Sequence, residues 1–225
     1  MNEKSILDPV ILRFDESVIL VDKPAGLPVL PDGWEEDAPY LAKILEGQFG
    51  RVWIVHRLDK VTSGVMVFAR TVEVHRALNA QFEKHEAEKV YHALAIGSPK
   101  WNEKTAKHPL RVNVGHRHRT MVDDRKGKPA ETIFKVLERH PDMVLLEARP
   151  MTGRTHQIRV HAYALGFPLL GDRLYSAPET DLIARPALHA CSLSFRHPDS
   201  NEMIVIQSPY PEDFTQALDK IRAGR

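Results

Sequence analysis

The stretch VHRLDKVTSGVMVFAR, residues 55–70, joins a group of polar side chains to a run of apolar ones. His56, Arg57 and Asp59 stand almost side by side, and GVMVFAR (64–70) predicts a short buried strand. An aspartate that starts a turn would explain Asp59, because its side chain can accept hydrogen bonds from the amides that follow. On the pattern alone this turn is the simpler interpretation. A reaction that uses one carboxylate is the other.

The composition is that of a globular protein of 225 residues, with 43% hydrophobic and 27% charged residues. The formal net charge is only +1, so nucleic-acid binding would have to come from local clusters of basic residues. The single cysteine, Cys191, cannot form an internal disulfide, which fits a reducing compartment. No apolar run reaches the ~18 residues of a membrane helix, and the start of the chain lacks a signal-peptide pattern. We therefore expect a cytoplasmic protein without a membrane partner.

The rest of the chain alternates strands with scattered helices. Strands are predicted at 17–24, 64–70, 89–97, 131–139, 142–150, 186–195 and 201–209, and helices at 37–50, 71–85, 154–166 and 211–223. Because the strands come in hairpins, we predict an α+β fold with a mixed, mainly antiparallel sheet flanked by helices. Residues 98–129 are polar and poorly periodic, which predicts a long basic loop. No stretch of the sequence has the composition of an interdomain linker, so residues 1–225 are predicted to be a single domain.

The predicted loop holds a cluster of basic side chains in a chain of almost no net charge. Its members are Arg117, Arg119, Arg125, Lys126 and Lys128. A charge run is most often a solvated loop, but this clustering favours contacts with nucleic-acid phosphates. A metal-dependent nuclease using His116, His118 and Asp123 or Asp124 is a weaker alternative, because a loop gives such a site no rigid support.

The predicted helix 154–166 carries an arginine at the edge of its apolar stripe. Arg159 follows the apolar Ile158 and either reaches along the surface to solvent or turns inward to hold a buried carboxylate. His156 and His161 are five residues apart, not the four that align metal ligands on a helix face. No metal site is therefore expected there.

Five stretches, in this order, resemble the RluA family of RNA pseudouridine synthases. They are VDKPAGLPV (21–29), HRLDKVTSGVMVFAR (56–70), KVYHALAIG (89–97), GRTHQIRVHAYALGFPLLGDRLY (153–175) and LHACSLSFRHP (188–198). The likeness runs from about residue 17 to 212, and the combination of H-R-L-D-x-x-T-S-G with R-T-H-Q-I-R-V-H is highly specific. The resemblance implies a pseudouridine-synthase-type catalytic domain.

The resemblance also implies a role for each matching residue. Asp59 matches the catalytic aspartate, and Arg159 matches the arginine that pairs with it. Tyr91 matches an active-site tyrosine, although on its strand alone it could be core packing or a group that stacks on a nucleobase. Arg57 matches the residue thought to fill the space left by a flipped nucleotide, and His56 beside it is expected to bind RNA as well.

The reaction of this family detaches uracil from its ribose, rotates it and rejoins it through carbon 5, after the nucleotide has left its stack. It needs no redox step or hydrolysis, so no cofactor or metal is expected. The layout, including GKPAET (127–132), resembles the compact branch without an S4-type RNA-binding domain. Leu30 stands where many relatives have histidine, which weakens the assignment to that branch but not the assignment of the reaction.

The expected partner is RNA, namely a stem-loop of 23S rRNA and/or tRNA, and no protein partner is evident. The alternative is a noncatalytic RNA-binding protein on the same scaffold. Retention of Asp59 together with Arg159 favours catalysis, because a protein that only binds RNA gains nothing from a carboxylate near phosphates.

Overall fold

The computed structural model describes residues 8–31, 38–115 and 119–224. Its strands are β1 (Val10–Phe14), β2 (Val18–Lys23), β3 (Trp53–Ile54), β4 (Ser63–Ala69), β5 (Glu88–Ile96), β6 (Glu103–Ala106), β7 (Leu110–Val114), β8 (Arg119–Val122), β9 (Thr132–Arg139), β10 (Met143–Pro150), β11 (Leu188–Arg196) and β12 (Met203–Gln207). Its helices are α1 (Leu41–Phe49), α2 (Val72–Glu83), α3 (Gln157–Ala164) and α4 (Glu212–Arg222), with a 3-10 turn at Arg173–Tyr175. The predicted α+β fold with mainly antiparallel strands is confirmed.

The chain forms two compact units, each built from two segments. The first unit comprises Met1–Lys89 and Ala190–Pro209, and the second comprises Val90–His189 and Tyr210–Arg225. The chain therefore passes between the units three times, and two of these passages fall within strands β5 and β11. The single domain expected over residues 1–225 stays a prediction.

The first unit is organised around β4. All seven residues of this strand are buried, and it pairs antiparallel with β2 from Val18↔Ala69 to Lys23↔Gly64. β1 pairs with β2, β3 pairs with one end of β4, and β12 pairs with β11. The unbroken apolar run of β4 follows from its position, because every side chain of the strand is shielded from solvent.

Helix α2 packs onto this sheet through one stripe. It begins at Thr71, whose hydroxyl accepts a hydrogen bond from the Val74 amide at 3.2 Å and so satisfies one free N–H of the first turn. Val74 and Leu78 lie one turn apart and are buried in one cluster with the β4 residues Val65 and Val67. Burial of each such side chain contributes roughly 1.5–3 kcal/mol.

In the second unit, four strands pair antiparallel in the order β5–β10–β9–β6. Helix α4 packs its apolar stripe against Leu94 of β5 and Leu145 of β10. Strands β7 and β8 form a separate hairpin. Leu110 of this hairpin shares a buried cluster with Val160 of α3 and with Tyr175.

The prediction of one long loop over residues 98–129 is wrong, because strands β6, β7 and β8 lie within this range. These strands have only four or five residues, and most of their described side chains are half-buried or exposed. Their alternation of polar and apolar residues is therefore too weak to predict strands. Residues 116–118 lie outside the described part of the chain.

Two helices begin later than predicted. Helical backbone starts at Gln157 and not at 154, because His156 has a φ of 55°, in the left-handed region that does not continue a right-handed helix. Helix α1 begins at Leu41, after Tyr40, and residue 37, where the helix was predicted to begin, lies outside the described residues.

Gly64 allows β4 and β11 to approach each other closely. Its φ is 118°, and a Cβ atom at this position would lie 2.2 Å from the carbonyl oxygen of Ala190. We expect Gly64→Ala to lower the free energy of unfolding by about 1–3 kcal/mol or more, since both backbone strain and overlap are introduced. Gly47→Ala on α1, where no atom lies within 4 Å of the new methyl group, should instead stabilise by about 0.5–1 kcal/mol. Urea midpoints test both changes, and an unshifted midpoint for Gly64→Ala would contradict the close approach.

Candidate active site

Asp59 lies in a turn between β3 and β4. The Thr62 amide donates to the Asp59 main-chain carbonyl oxygen at 3.0 Å, so a turn begins at this aspartate. The hydrogen bonds predicted for its side chain stay a prediction. Leu58 before it and Thr62 after it are buried, while Asp59 itself is half-buried. The turn therefore holds a carboxylate at the boundary between apolar surroundings and solvent. Arg57, two residues earlier, is exposed.

A buried lysine fixes this turn from the side. Lys23, at the end of β2, has no exposed surface. Its ammonium group donates to the carbonyl oxygens of Pro24 and Leu27 at 2.8 Å and of Lys60 at 3.2 Å. The Gly26 amide also donates to the Lys60 carbonyl, at 2.7 Å. The loop after β2 and the turn at Asp59 are thus bonded to each other. Sequence reasoning missed this contact, although a lysine closing an apolar strand was a signal.

His56 continues the pairing of β4 where β3 ends. Its Nε2 accepts a hydrogen bond from the Val67 amide at 3.2 Å, and its ring stacks on Phe82 with centroids 4.8 Å apart. Although part of the residue reaches solvent, burial lowers the pKa of His56 to about 3, with a smaller contribution from the positive charge of Lys89. The ring is therefore neutral at pH 7, with its proton on Nδ1. Binding of RNA by His56 stays a prediction.

Tyr91 lies on β5 opposite Ala148 of β10, with 9% of the residue exposed. Its neighbour His92 points to the other face of the strand and bonds to the hydroxyl of Tyr210. Burial lowers the pKa of His92, which keeps this ring neutral at pH 7. The face of β5 that carries Tyr91 is therefore distinct from the face that meets Tyr210.

Arg159 turns inward and holds a buried carboxylate, as one of the two interpretations of its position predicts. The carboxylate belongs to Asp172: Nε and Nη2 of Arg159 each donate to one of its oxygens at 2.7 Å. The side chains of Arg159 and Asp172 are only 5% and 1% exposed. The guanidinium carbon also lies 5.1 Å from the centre of the Tyr175 ring, within the range of a cation–π contact. Sequence reasoning missed Asp172 and Tyr175, although both stand in the stretch GDRLY (171–175).

Gln157, the first residue of α3, has all its hydrogen-bonding groups in use. Its Nε2 donates to the Glu131 carbonyl at 2.9 Å and to the Thr132 hydroxyl at 3.0 Å. Its Oε1 accepts from the Thr152 hydroxyl at 2.6 Å and from the Arg154 amide at 3.1 Å. Four bonds satisfy a buried amide and attach the start of α3 to the start of β9.

His161 makes a similar attachment one turn later. It is fully buried, and its Nδ1 and Nε2 bond to the Thr132 hydroxyl at 2.9 Å and the His108 carbonyl at 3.0 Å. Because a carbonyl only accepts, Nε2 carries the proton and Nδ1 accepts from Thr132. Burial lowers the pKa of His161, which keeps the ring neutral. His156 bonds to the Tyr175 hydroxyl at 2.9 Å, so both histidines contact neighbouring protein groups.

Four of the five residues of the predicted basic cluster lie on β8 or in the turn that follows it. We use "basic hairpin" for β7, β8 and that turn, residues 110–115 and 119–128. Asp123 shapes that turn: its Oδ1 accepts from the Arg125 and Lys126 amides at 3.0 and 2.9 Å, and its Oδ2 pairs with Arg111 at 3.1 Å. The bond from the Lys126 amide is the largest of the contacts that lower the pKa of Asp123. The exposed basic side chains of the described part of the hairpin are Arg119, Arg125, Lys126 and Lys128, and Arg117 lies outside the described residues.

The predicted site residues fall into both units. Arg57 and Asp59 belong to the first, and Tyr91, Arg159 and the basic hairpin to the second. The pair expected between Asp59 and Arg159 stays a prediction. In the parts of the chain that the structure describes, no three His, Cys, Asp or Glu side chains gather as metal ligands would. Within the same ranges, no helix is long and apolar enough to cross a membrane.

Comparison with known proteins gives one family. Residues 17–164 match the family described as RNA pseudouridylate synthase. The chain is 38% identical over 202 residues to the dual-specificity RNA pseudouridine synthase RluA of Escherichia coli strain K12, covering 89% of this chain and 92% of that protein. It is 37% identical over 225 residues to the ribosomal large subunit pseudouridine synthase D of Nitrosomonas europaea, covering 94% of this chain but only 65% of that relative's length.

A solved structure supports the same assignment. The human RNA pseudouridylate synthase domain containing 4 superposes with a TM-score of 0.77 at 26% identity, covering 95% of this chain and 93% of that one. The fold and the motifs thus define a class of RNA-modifying isomerases. The chain belongs to the RNA pseudouridylate synthase family.

His56 gives the first unit a defined dependence on pH. The unfolded chain binds a proton at this residue near pH 6.5, and the folded chain binds it only near pH 3, so its contribution to stability is complete above pH 6.5 and is lost as pH falls towards 3. One such proton changes the free energy of unfolding by up to about 1.4 kcal/mol per pH unit.

We expect His56→Gln, whose Oε1 can accept from the Val67 amide without titrating, to lose less stability than the wild type between pH 7.5 and 5. Urea unfolding at the two pH values measures this difference. His85→Asn, at an exposed histidine, serves as the control and should follow the wild type. Equal losses for the wild type and His56→Gln would show that His56 is not held neutral.

Proposed function

We propose that this protein is an RNA pseudouridine synthase that isomerises a specific uridine in a structured stem-loop, with Asp59 as the nucleophile. The observation that carries the proposal is the turn at Asp59, which presents a half-buried carboxylate and whose main chain is bonded to Lys23 and Gly26 through the carbonyl of Lys60. A nucleophile gains from such fixation, because the reacting atoms must meet in one geometry. The match to the family over residues 17–164 includes Asp59, Tyr91 and Arg159.

In the proposed reaction, the carboxylate of Asp59 forms a covalent bond either to carbon 1′ of the ribose or to carbon 6 of the base. The bond between carbon 1′ and N1 breaks, and the uracil rotates while it stays in the pocket. Carbon 5 then bonds to carbon 1′ as Asp59 is released, the proton on carbon 5 is lost, and N1 gains a proton. The sum is an isomerisation in which no electron is gained or lost, so no redox cofactor is required.

Three other residues complete the proposed site. Arg57, exposed and two residues before Asp59, fills the space that the flipped nucleotide leaves in its helix. Tyr91 stacks under the base, and its hydroxyl is a candidate to take part in removal of the proton from carbon 5. Arg159 pairs with Asp59, and its positive charge favours the ionised form of the nucleophile. The inward orientation of Arg159 supports this role, since a buried guanidinium is well suited to hold carboxylates.

The basic hairpin binds the phosphates of the substrate stem. Arg119, Arg125, Lys126 and Lys128 are exposed on a folded support, whereas Arg111 is paired with Asp123. Arg117 and His56 are proposed to contribute further contacts with RNA. The reaction then takes place in a single catalytic domain, 1–225, in the cytoplasm.

The proposed substrate is a stem-loop of 23S rRNA, of tRNA or of both. One relative is named for the large ribosomal subunit, which supports rRNA, and another for dual specificity, which supports more than one RNA substrate. Pseudouridine mapping of total RNA from cells with and without the gene identifies the uridine. A single lost site in rRNA or in tRNA would assign one class, and lost sites in both would assign dual specificity.

Asp59→Asn should abolish catalysis while RNA binding is retained. Removal of the nucleophile should lower the rate of tritium release from RNA containing 5-tritiated uridine by at least about three orders of magnitude. The Kd for RNA should stay within about threefold, because the isosteric amide keeps the turn. Asp181→Asn, at an exposed aspartate, is the control and should have wild-type activity. Tritium release by Asp59→Asn at the wild-type rate would favour the alternative, a protein that binds RNA without modifying it.

The basic hairpin should set the salt dependence of RNA binding. Each phosphate contact releases counterions, so replacement of Arg119 and Arg125 by glutamine should reduce the slope of log affinity against log salt by about 1.4–1.8. The single-turnover rate at saturating RNA should change little, because Asp59 is untouched. The matched control replaces Lys84 and Lys220, exposed at the ends of α2 and α4, by glutamine. A slope that drops as much in this control would mean that net charge, and not the hairpin, determines RNA binding.

A further inference from the structure

Two residues of the second unit surround the guanidinium of Arg159. Asp172 accepts hydrogen bonds from Nε and Nη2 at 2.7 Å each, and both side chains are shielded from solvent. The ring of Tyr175 covers a face of the same group, 5.1 Å from its central carbon. The guanidinium is planar, so a contact along one edge and a contact on one face together fix its orientation.

Tyr175 is itself held from two sides. Its hydroxyl oxygen accepts from the Thr120 amide of β8 at 3.1 Å and bonds to Nδ1 of His156 at 2.9 Å. The backbone adds to this rigidity, because the amides of Tyr175 and Ala177 both donate to the Asp172 carbonyl, at 3.0 and 3.1 Å. Tyr175, which covers the guanidinium of Arg159, is therefore bonded both to the start of α3 and to the basic hairpin.

The edge that Asp172 occupies determines how Arg159 can meet a second carboxylate. Asp172 takes the edge formed by Nε and Nη2, so Nη1 points away from it. A second carboxylate must then approach the end of the guanidinium that carries Nη1. Arginine can serve two carboxylates in this way because its five N–H donors lie in one plane, whereas a lysine ammonium has no such fixed fork.

We propose that Asp172 and Tyr175 are positioning residues for the reaction, because together they fix the guanidinium of Arg159 in one orientation. This inference rests on the proposed function, which pairs Arg159 with Asp59. Asp172 also balances the charge of Arg159. The arginine then orients the nucleophile mainly through directed hydrogen bonds, and less through net positive charge.

The alternative is that the pair of Asp172 and Arg159 only stabilises the fold. A second bidentate pair in the same unit provides the control: Arg185 donates to both oxygens of Asp213, at 2.6 and 2.9 Å. Asp172→Asn and Asp213→Asn make the same chemical change at the two pairs. Both can lower the urea midpoint, but only Asp172→Asn should affect the chemical step.

The experiment measures the single-turnover rate of tritium release at saturating RNA, together with the Kd for RNA. Asp172→Asn should lower the rate by about 100-fold, as a misplaced catalytic group does, with the Kd within about threefold. Asp213→Asn should keep the rate within about threefold. A folded Asp172→Asn protein that keeps the wild-type rate overturns the proposal, and so does an equal loss of rate in Asp213→Asn.

Two substitutions at Tyr175 separate its ring from its hydroxyl. Tyr175→Phe keeps the ring over Arg159 and removes the hydroxyl bonds to Thr120 and His156, so the Kd should rise and the rate at saturating RNA should fall only about two- to threefold. Tyr175→Leu removes the ring and should lower that rate by at least about tenfold. Equal rates for Tyr175→Leu and Tyr175→Phe would remove Tyr175 from the proposal.

A measurement on the wild-type protein without RNA covers the case in which Asp172→Asn does not fold. The NMR signal of the Arg159 Nε–H, identified by its loss in Arg159→Lys, should exchange with solvent at least about 100-fold more slowly than that of the exposed Arg57. Exchange as fast as that of Arg57 would show that Arg159 is not held, and would overturn the proposal.

Wild-type protein that releases no tritium from RNA containing the mapped uridine overturns the proposed function, and the inference with it. Slow exchange with an active Asp172→Asn protein overturns the inference alone.

Discussion

A buried ammonium group must be surrounded by oxygen acceptors, and in the first unit this requirement of Lys23 fixes the turn that carries the candidate nucleophile. The side chain has no contact with solvent, and the carbonyl oxygens of Pro24, Leu27 and Lys60 accept its hydrogen bonds. A buried charge without such partners costs several kcal/mol or more. The loop after β2 and the turn at Asp59 therefore cannot separate without a large loss of stability. The position of the candidate nucleophile is thus set by a residue far earlier in the chain.

The same requirement shapes helix α3 in the second unit. Its inner side carries Gln157, Arg159 and His161, and partners for all three side chains come from outside the helix. An apolar stripe can slide along an apolar surface at little cost, but directed hydrogen bonds are satisfied in only one register. The polar residues therefore fix where the helix sits. They also make the orientation of Arg159 a property of the fold, established before any RNA is bound.

The exposed basic residues follow a different rule. On the basic hairpin, Asp123 shapes the turn through backbone amides and neutralises Arg111. Charges that stay in water, such as those of Arg119 and Lys128, contribute little to the stability of the fold. They are available for a polyanion, whose phosphates need positive charge more than exact geometry. Buried polar groups thus set the geometry of this protein, and exposed ones supply the attraction for its proposed substrate.

The sequence by itself determined the elements whose periodicity reports burial. The apolar run of β4, the stripe of α2 and the last helix, α4, lie where the pattern predicts them, because solvent exclusion acts on each side chain according to its spacing. The order of the motifs likewise indicated the family. For Arg159 the sequence left two interpretations open, a side chain that reaches to solvent and one that turns inward.

Only the tertiary structure decided which groups those residues meet. Asp172 as the partner of Arg159, the three carbonyl acceptors of Lys23 and the short strands β6, β7 and β8 have no local signature. A hydrogen-bond partner is chosen by distance and direction between groups that the folded chain brings together. Such proximity is not contained in the spacing of residues along the chain, so it became visible only once the strands and helices were packed.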